Sequence, residues 1–234
     1  GDLNGVRIDL VRCWTFPHDV SKLGQMRAGA RPRPARRSDT GRCPSTGQTL
    51  PMALMSFPAR LESLASEDPD RPAVTCLDSS LTRRQLQSAA TRLGRELQGL
   101  GVGVGDYVTV SLPNSTDWFV AYVACWMVGA IPQPTSAKLP PRELAAIVEL
   151  ANSKVVIGAP DGSVDLLPPT SKTLPLGHQP DPSLSDAPLP DATSPAWKAP
   201  TSGGSTGRPK LIVSGDPAVY DLDLNEQASP FFSM

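Results

Sequence analysis

Between Ala73 and Ile157 short β-branched runs alternate with longer segments of helical period, and this alternation restricts the available folds more than any other feature of the chain. A strand is expected near Ala73–Leu77, followed by a turn through Asp78 and Ser79. Thr82 then opens a long helix, with Gln85 three residues on completing a capping-box pattern. Leu86, Ala90, Leu93, Leu97 and Leu100 form its buried stripe, and Gly101 ends it. Tyr107–Leu112 reads as a strand, Trp118–Val128 as an apolar helix closed by Gly129, and Ile131–Pro134 as a short extended piece. Pro141 starts a further helix with Leu144, Ile147, Val148 and Ala151 inward, and Val155–Ile157 forms the next strand. Ahead of this series, Phe57, Leu61, Leu64 and Ala65 share one helical face, stopped by Pro69 and Pro72. Strands and helices alternating over short connections predict an α/β fold: a parallel sheet reached by right-handed crossovers, with helices on both faces.

The composition supports this and removes several function classes. A hydrophobic content of 39% in 234 residues can fill a core, and a net charge of −1 gives the whole chain no electrostatic reason to bind nucleic acid. Cys13, Cys43, Cys76 and Cys125 lie far apart without a C-x-x-C pair, and only His18 and His178 could join them, so neither a metal site nor a disulfide framework is expected. Cys125 falls in an apolar helix and is expected to be a buried thiol in a reducing, cytoplasmic setting. The most apolar stretch, Phe119 to Ile131, is too short to cross a bilayer as a helix.

Residues 1–51 carry nine Lys/Arg against four Asp/Glu and include Arg31-Pro32-Arg33-Pro34-Ala35-Arg36-Arg37. This stretch repels itself and has no apolar face, so a disordered basic leader is expected, with Met52 or Met55 as a candidate start. The segment is also open to reading as a targeting peptide, an acidic-partner tail or a proline-rich ligand for aromatic grooves. Residues 52–234 then form the domain. Ten prolines between Pro160 and Pro200 predict a surface connection over 160–195 rather than a core element, with His178 solvated inside it.

The chemistry concentrates in Thr201-Ser202-Gly203-Gly204-Ser205-Thr206-Gly207-Arg208-Pro209-Lys210, followed by Leu211-Ile212-Val213. Glycines let backbone N–H groups turn toward an anion without a Cβ in the way, Ser and Thr hydroxyls add donors, and Lys210 adds positive charge. The P-loop pattern G-x-x-x-x-G-K-[ST] leads into a helix, whereas Lys210 follows Pro209 and enters a β-like run. A different phosphate loop is indicated, with a flexible Gly/Ser linker as the bland alternative.

This loop resembles the signature of the adenylate-forming superfamily of acyl-CoA synthetases, aryl-CoA ligases, luciferases and peptide-synthetase adenylation domains: a Ser/Thr/Gly-rich run ending in Gly-x-Pro-Lys. Ser80-Leu81-Thr82 before the Leu86 helix, Gly103-Val104-Gly105-Asp106-Tyr107-Val108, Asn114, and Gly129-Ala130 with Pro132 are similar to that family too, so the resemblance runs from about Phe57 to Gly215. Ala199 departs from it, standing where a bulkier apolar residue is usual. The resemblance implies part of the large N-terminal domain of such an enzyme. It also implies ATP, Mg²⁺ and coenzyme A, a carboxylic acid substrate and a thiol acceptor. Thr201, Ser202, Gly203, Gly204, Ser205, Thr206, Gly207 and Lys210 would hold the β and γ phosphates. In such enzymes a carboxylate oxygen attacks the α-phosphorus of ATP, pyrophosphate leaves, and a thiol displaces AMP from the acyl adenylate.

The remaining family elements are a metal-binding glutamate, a ribose-binding aspartate and a mobile carboxy-terminal lysine. They have no match here and are expected beyond Met234, so the chain alone is expected to be inactive as a ligase. Loading of a carrier-protein thiol and a non-catalytic nucleotide-binding remnant stand as alternatives. The Gly203-Gly204 variant running into Leu211-Ile212-Val213 looks similar to ligases for fatty or steroid-like acids.

Overall fold

The computed structural model describes residues 6–8, 54–202 and 209–221. A four-stranded, all-parallel sheet forms the centre, in the order β6 (Ile131–Pro134), β5 (Tyr107–Val110), β7 (Val155–Ala159), β8 (Lys172–Pro175). Its helices are α1 (Phe57–Glu67), α2 (Arg83–Gly99), α3 (Thr116–Met127) and α4 (Pro141–Ala151). A three-stranded antiparallel sheet joins β1 (Val6–Ile8), β3 (Pro72–Cys76) and β4 (Ser79–Thr82), and β2 (Leu54–Ser56) pairs with β9 (Val219–Asp221). The α/β class and the parallel sheet expected from the alternation are present.

The two-residue period of the strands puts helices on both faces. Val108, Val110, Val155 and Ile157 point into the larger core, where Leu86, Leu93, Leu97 and Val120 meet them from α2 and α3. Val156 and Ala159 point the other way and meet Leu144 and Val148 of α4. Helix α3 is buried nearly all round from Val120 to Met127, which is why its sequence lacks an amphipathic pattern. Leu97 has no exposed surface, and its burial contributes roughly 1.5–3 kcal/mol.

The capping box predicted at Thr82 is formed: the Gln85 amide donates to Thr82 Oγ1 at 3.3 Å, and the Thr82 amide donates to Gln85 Oε1 at 2.9 Å. Ser56 and Ser115 cap α1 and α3 through their hydroxyls alone, accepting from the Ala59 and Trp118 amides. The Arg83 guanidinium donates from Nη1 to the Leu64 carbonyl at 2.8 Å, satisfying the end of α1. Burial lowers its pKa from the ordinary arginine value, with nearby Arg71 the next cause.

Several expectations are corrected. Ser79 opens β4 rather than closing a turn, because Leu77 adopts φ 53° and folds the chain into a hairpin. The proline-rich segment expected to be all surface connection contributes β8 to the main sheet, with Leu174 buried. Prolines are admitted there because β8 is an edge strand, where an unpaired side needs no N–H. Val6–Ile8 lies within the leader expected to be disordered, and the rest of that leader is outside the described residues.

His178 is half-buried and paired rather than freely solvated. Its Nε2 lies 2.7 Å from Glu96 Oε2, and the other Glu96 oxygen accepts the Asp181 amide at 2.5 Å. Arg92 and Arg95 of the same helix donate to the carbonyls of Leu184, Ser185 and Ala187, while Asp186 accepts from Ser88 and Arg92. The segment 178–187 is thus strapped to the polar face of α2. Sequence periodicity is blind to this arrangement, since its contacts join residues 82 to 98 positions apart in the chain.

Candidate functional site: the neck of the glycine-rich loop

The segments on either side of the glycine-rich run form an irregular antiparallel ladder. Ala218 N donates to Ser194 O at 2.9 Å, Trp197 N to Asp216 O at 3.1 Å, Ser214 N to Lys198 O at 3.1 Å, and Ile212 N to Pro200 O at 2.8 Å. Thr201 bridges Leu211, and Ser202 N donates to Lys210 O at 2.9 Å. A second bond closes the same pair, from Lys210 N to Ser202 Oγ at 3.1 Å. Of the expected phosphate-binding residues, the structure therefore brings Ser202 and Lys210 together directly, with Thr201 beside them. Gly203, Gly204, Ser205, Thr206 and Gly207 lie outside the described residues.

Directly opposed residues of an antiparallel ladder project to the same side, so Ser202 and Lys210 share a face. The Lys210 residue is exposed. Two steps down the ladder, Lys198 shares that face by register and places its ammonium 4.0 Å from the centroid of the Trp197 ring. Partial burial lowers the Lys198 pKa from the ordinary lysine value.

Three supports hold the ladder. On the sheet side, the Ala199 amide donates to the Pro132 carbonyl of β6 at 3.0 Å, and Ala199 is fully buried against Ile131 and Ala196. The small side chain brings the ladder against the sheet edge, a physical use for the residue that departs from the family pattern. This contact also covers an edge strand that would otherwise present unpaired groups. On the helix side, Trp126 Nε1 of α3 donates to the Trp197 carbonyl at 2.9 Å. At the base, Phe57 N donates to Ala218 O at 3.0 Å and β9 pairs with β2, tying the ladder to the start of α1.

Trp126 packs edge-on against Phe57 and Tyr122, at 4.9 and 5.7 Å between ring centroids. The clue to its second role is that a buried indole N–H needs an acceptor, although nothing in the sequence identifies that acceptor as residue 197. Tyr122 and Cys125 are buried beside it, and burial raises both pKa values well above their ordinary ranges, so both stay protonated.

No group of three or more potential metal ligands occurs among the described residues. The ladder neck offers hydroxyls, amides and ammonium groups, which suit an anion, whereas a magnesium ion needs carboxylate or phosphate oxygens. The described residues thus do not themselves fit Mg²⁺. No helix among them is long and apolar enough to cross a membrane.

The family model for AMP-binding enzymes matches residues 61–216, and the chain belongs to that family, the adenylate-forming enzymes. A nonribosomal peptide synthetase of Aspergillus terreus is 27% identical over 169 residues, 70% of this chain and 15% of the relative. A 3-hydroxybenzoate/4-hydroxybenzoate CoA ligase of Thauera aromatica is 30% identical over 80 residues, 34% of this chain and 15% of the relative. The solved N-terminal subdomain of NpsA from Klebsiella oxytoca superposes with a TM-score of 0.58 at 21% identity, covering 68% of this chain and 42% of that one. The chain spans 7% to 15% of the length of the peptide- and hybrid-synthetase relatives it matches.

Proposed function

We propose that this chain is the part of a carboxylate-activating enzyme that grips the polyphosphate of ATP. The carrying observation is the ladder that clamps Ser202 and Lys210 opposite each other at the mouth of the glycine-rich loop. A rigid neck holds donors in place before the ligand arrives, and prearranged donors are what stabilise charge building on a departing pyrophosphate. Thr201, Ser202 and Lys210, with Gly203, Gly204, Ser205, Thr206 and Gly207 between them, take the β and γ phosphates in this reading. The reaction of the whole protein is attack of a carboxylate oxygen on the α-phosphorus, loss of pyrophosphate, and displacement of AMP by a thiol. Mg²⁺ would reach the site on the nucleotide.

Two thiols compete as the acceptor. Coenzyme A is consistent with the likeness to a CoA ligase over 34% of the chain. A carrier-protein thiol is favoured by the likeness to a peptide synthetase, which runs over 70% of it. A non-catalytic nucleotide-binding role needs only the loop itself.

The test is binding of Mg·ATP to the 234-residue chain by calorimetry, compared with Lys210→Ala. Removing one charge-assisted contact worth about 1.5–3 kcal/mol should weaken binding by roughly ten- to a hundredfold. Equal affinity in the two proteins, or none in the native chain while its amide spectrum shows it folded, would overturn the reading.

A further inference from the structure

We infer that Trp126 is a positioning residue for the phosphate-binding ladder, acting through the Trp197 carbonyl; the inference rests on the nucleotide-binding reading above. Its indole N–H reaches that carbonyl at 2.9 Å from α3, a helix that belongs to the main core and takes no part in the ladder's own hydrogen bonding. Trp197 is where the ladder strand leaves the core. Its amide is bonded across to Asp216, its ring lies beside the Lys198 ammonium, and Ala199, two residues on, makes the bond to β6. Trp126 and Ala199 therefore fix successive points of one strand, which continues directly into Thr201 and Ser202.

The indole itself has little freedom. Phe57 lies edge-on against it on one side and Tyr122 on another, and the residue is only 6% exposed. The N–H therefore sits at a height set by the core. A phenylalanine would keep the aromatic packing and remove the donor that bonds the Trp197 carbonyl. The strand would then lose its hydrogen-bonded tie to α3, and the Ser202–Lys210 neck would move over a wider range before binding.

The experiment uses the full 234-residue chain with Mg·ATP as the probe. Trp126→Phe is expected to weaken Mg·ATP about three- to tenfold, the size of one ordinary hydrogen bond. In the same variant, amide resonances should shift along Trp197–Ser202 and Lys210–Ser214 and stay in place along α2 and β7. In the native chain, saturating Mg·ATP should slow exchange of the Trp126 indole proton, a readout that a purely packing role would leave unmoved. Unchanged affinity in Trp126→Phe with weakened binding in Lys210→Ala overturns the positioning role and spares the loop assignment. Unchanged affinity in Lys210→Ala strikes the loop assignment instead. Should Trp126→Phe fail to fold, the native measurement decides alone: an indole exchange rate indifferent to bound Mg·ATP overturns the inference.

Discussion

Gly158→Ala should be among the most damaging single-methyl additions to this fold. Gly158 lies inside β7 at φ +79°, where the β7–β8 register shifts between Ile157 and Ala159. A Cβ built there would stand 2.5 Å from Leu112 Cδ2 and 2.8 Å from the Ser111 carbonyl oxygen. The leucine tip could swing aside, but the carbonyl belongs to a backbone pinned by the Ser111 amide, which donates to Ile157 O at 2.8 Å. Left-handed backbone costs a non-glycine residue about 1–2 kcal/mol. Overpacking adds about 1–3 kcal/mol, for a total near 2–5 kcal/mol. That is a large part of the roughly 5–15 kcal/mol that holds a domain together. Urea unfolding followed by circular dichroism should show the midpoint falling by about 1–2.5 M at a slope near 2 kcal/mol per molar. Gly99→Ala is the control: Gly99 closes α2, and a Cβ there meets nothing within 4 Å, so the substitution should raise stability by about 0.5–1 kcal/mol. A Gly158→Ala midpoint within about 0.25 M of the native one would refute the reasoning, because strain and overlap of this size cannot both vanish.

Two further outcomes are expected, besides the effects of Lys210→Ala and Trp126→Phe on nucleotide binding. Arg83→Met should lower stability by about 1–3 kcal/mol in the same unfolding assay, since the Leu64 carbonyl loses a charged donor while the apolar bulk is largely kept. The strap on α2 should loosen in acid. The Ser88 hydroxyl, then Arg92, holds the Asp186 carboxyl below its ordinary value, and Ser183 does the same for Asp181. A depressed folded pKa contributes stability that is complete above the unfolded value of about 3.9 and is lost as pH falls through the folded one. Amide shifts of Ser183–Ala187 should therefore hold steady above about pH 5 and move only below about pH 4, and Asp186→Asn should reduce that movement.

Much of the fold was legible because local chemistry and tertiary packing agree. The capping box at Thr82, the stripe from Leu86 to Leu97 and the proline opening of α4 each state an element in a few neighbouring residues, and each element is present. The glycine-rich loop was likewise visible, since Ser202, Lys210 and the glycines between them are contiguous. Less legible were β4 and β8, short strands without an apolar alternation of their own. They exist because neighbouring strands supply hydrogen-bonding partners, a property of the sheet rather than of the segment.

By itself, then, the sequence determined the class of fold, the order of its main helices and central strands and the place of a glycine-rich loop, because periodicity and motif chemistry act between residues close in the chain. Tertiary structure alone decided that Trp126 reaches the Trp197 carbonyl, that Ala199 closes against Pro132 and that Glu96 holds His178. Those contacts join residues 67 to 82 positions apart. Only the packing of helices on the sheet brings such residues within hydrogen-bonding reach.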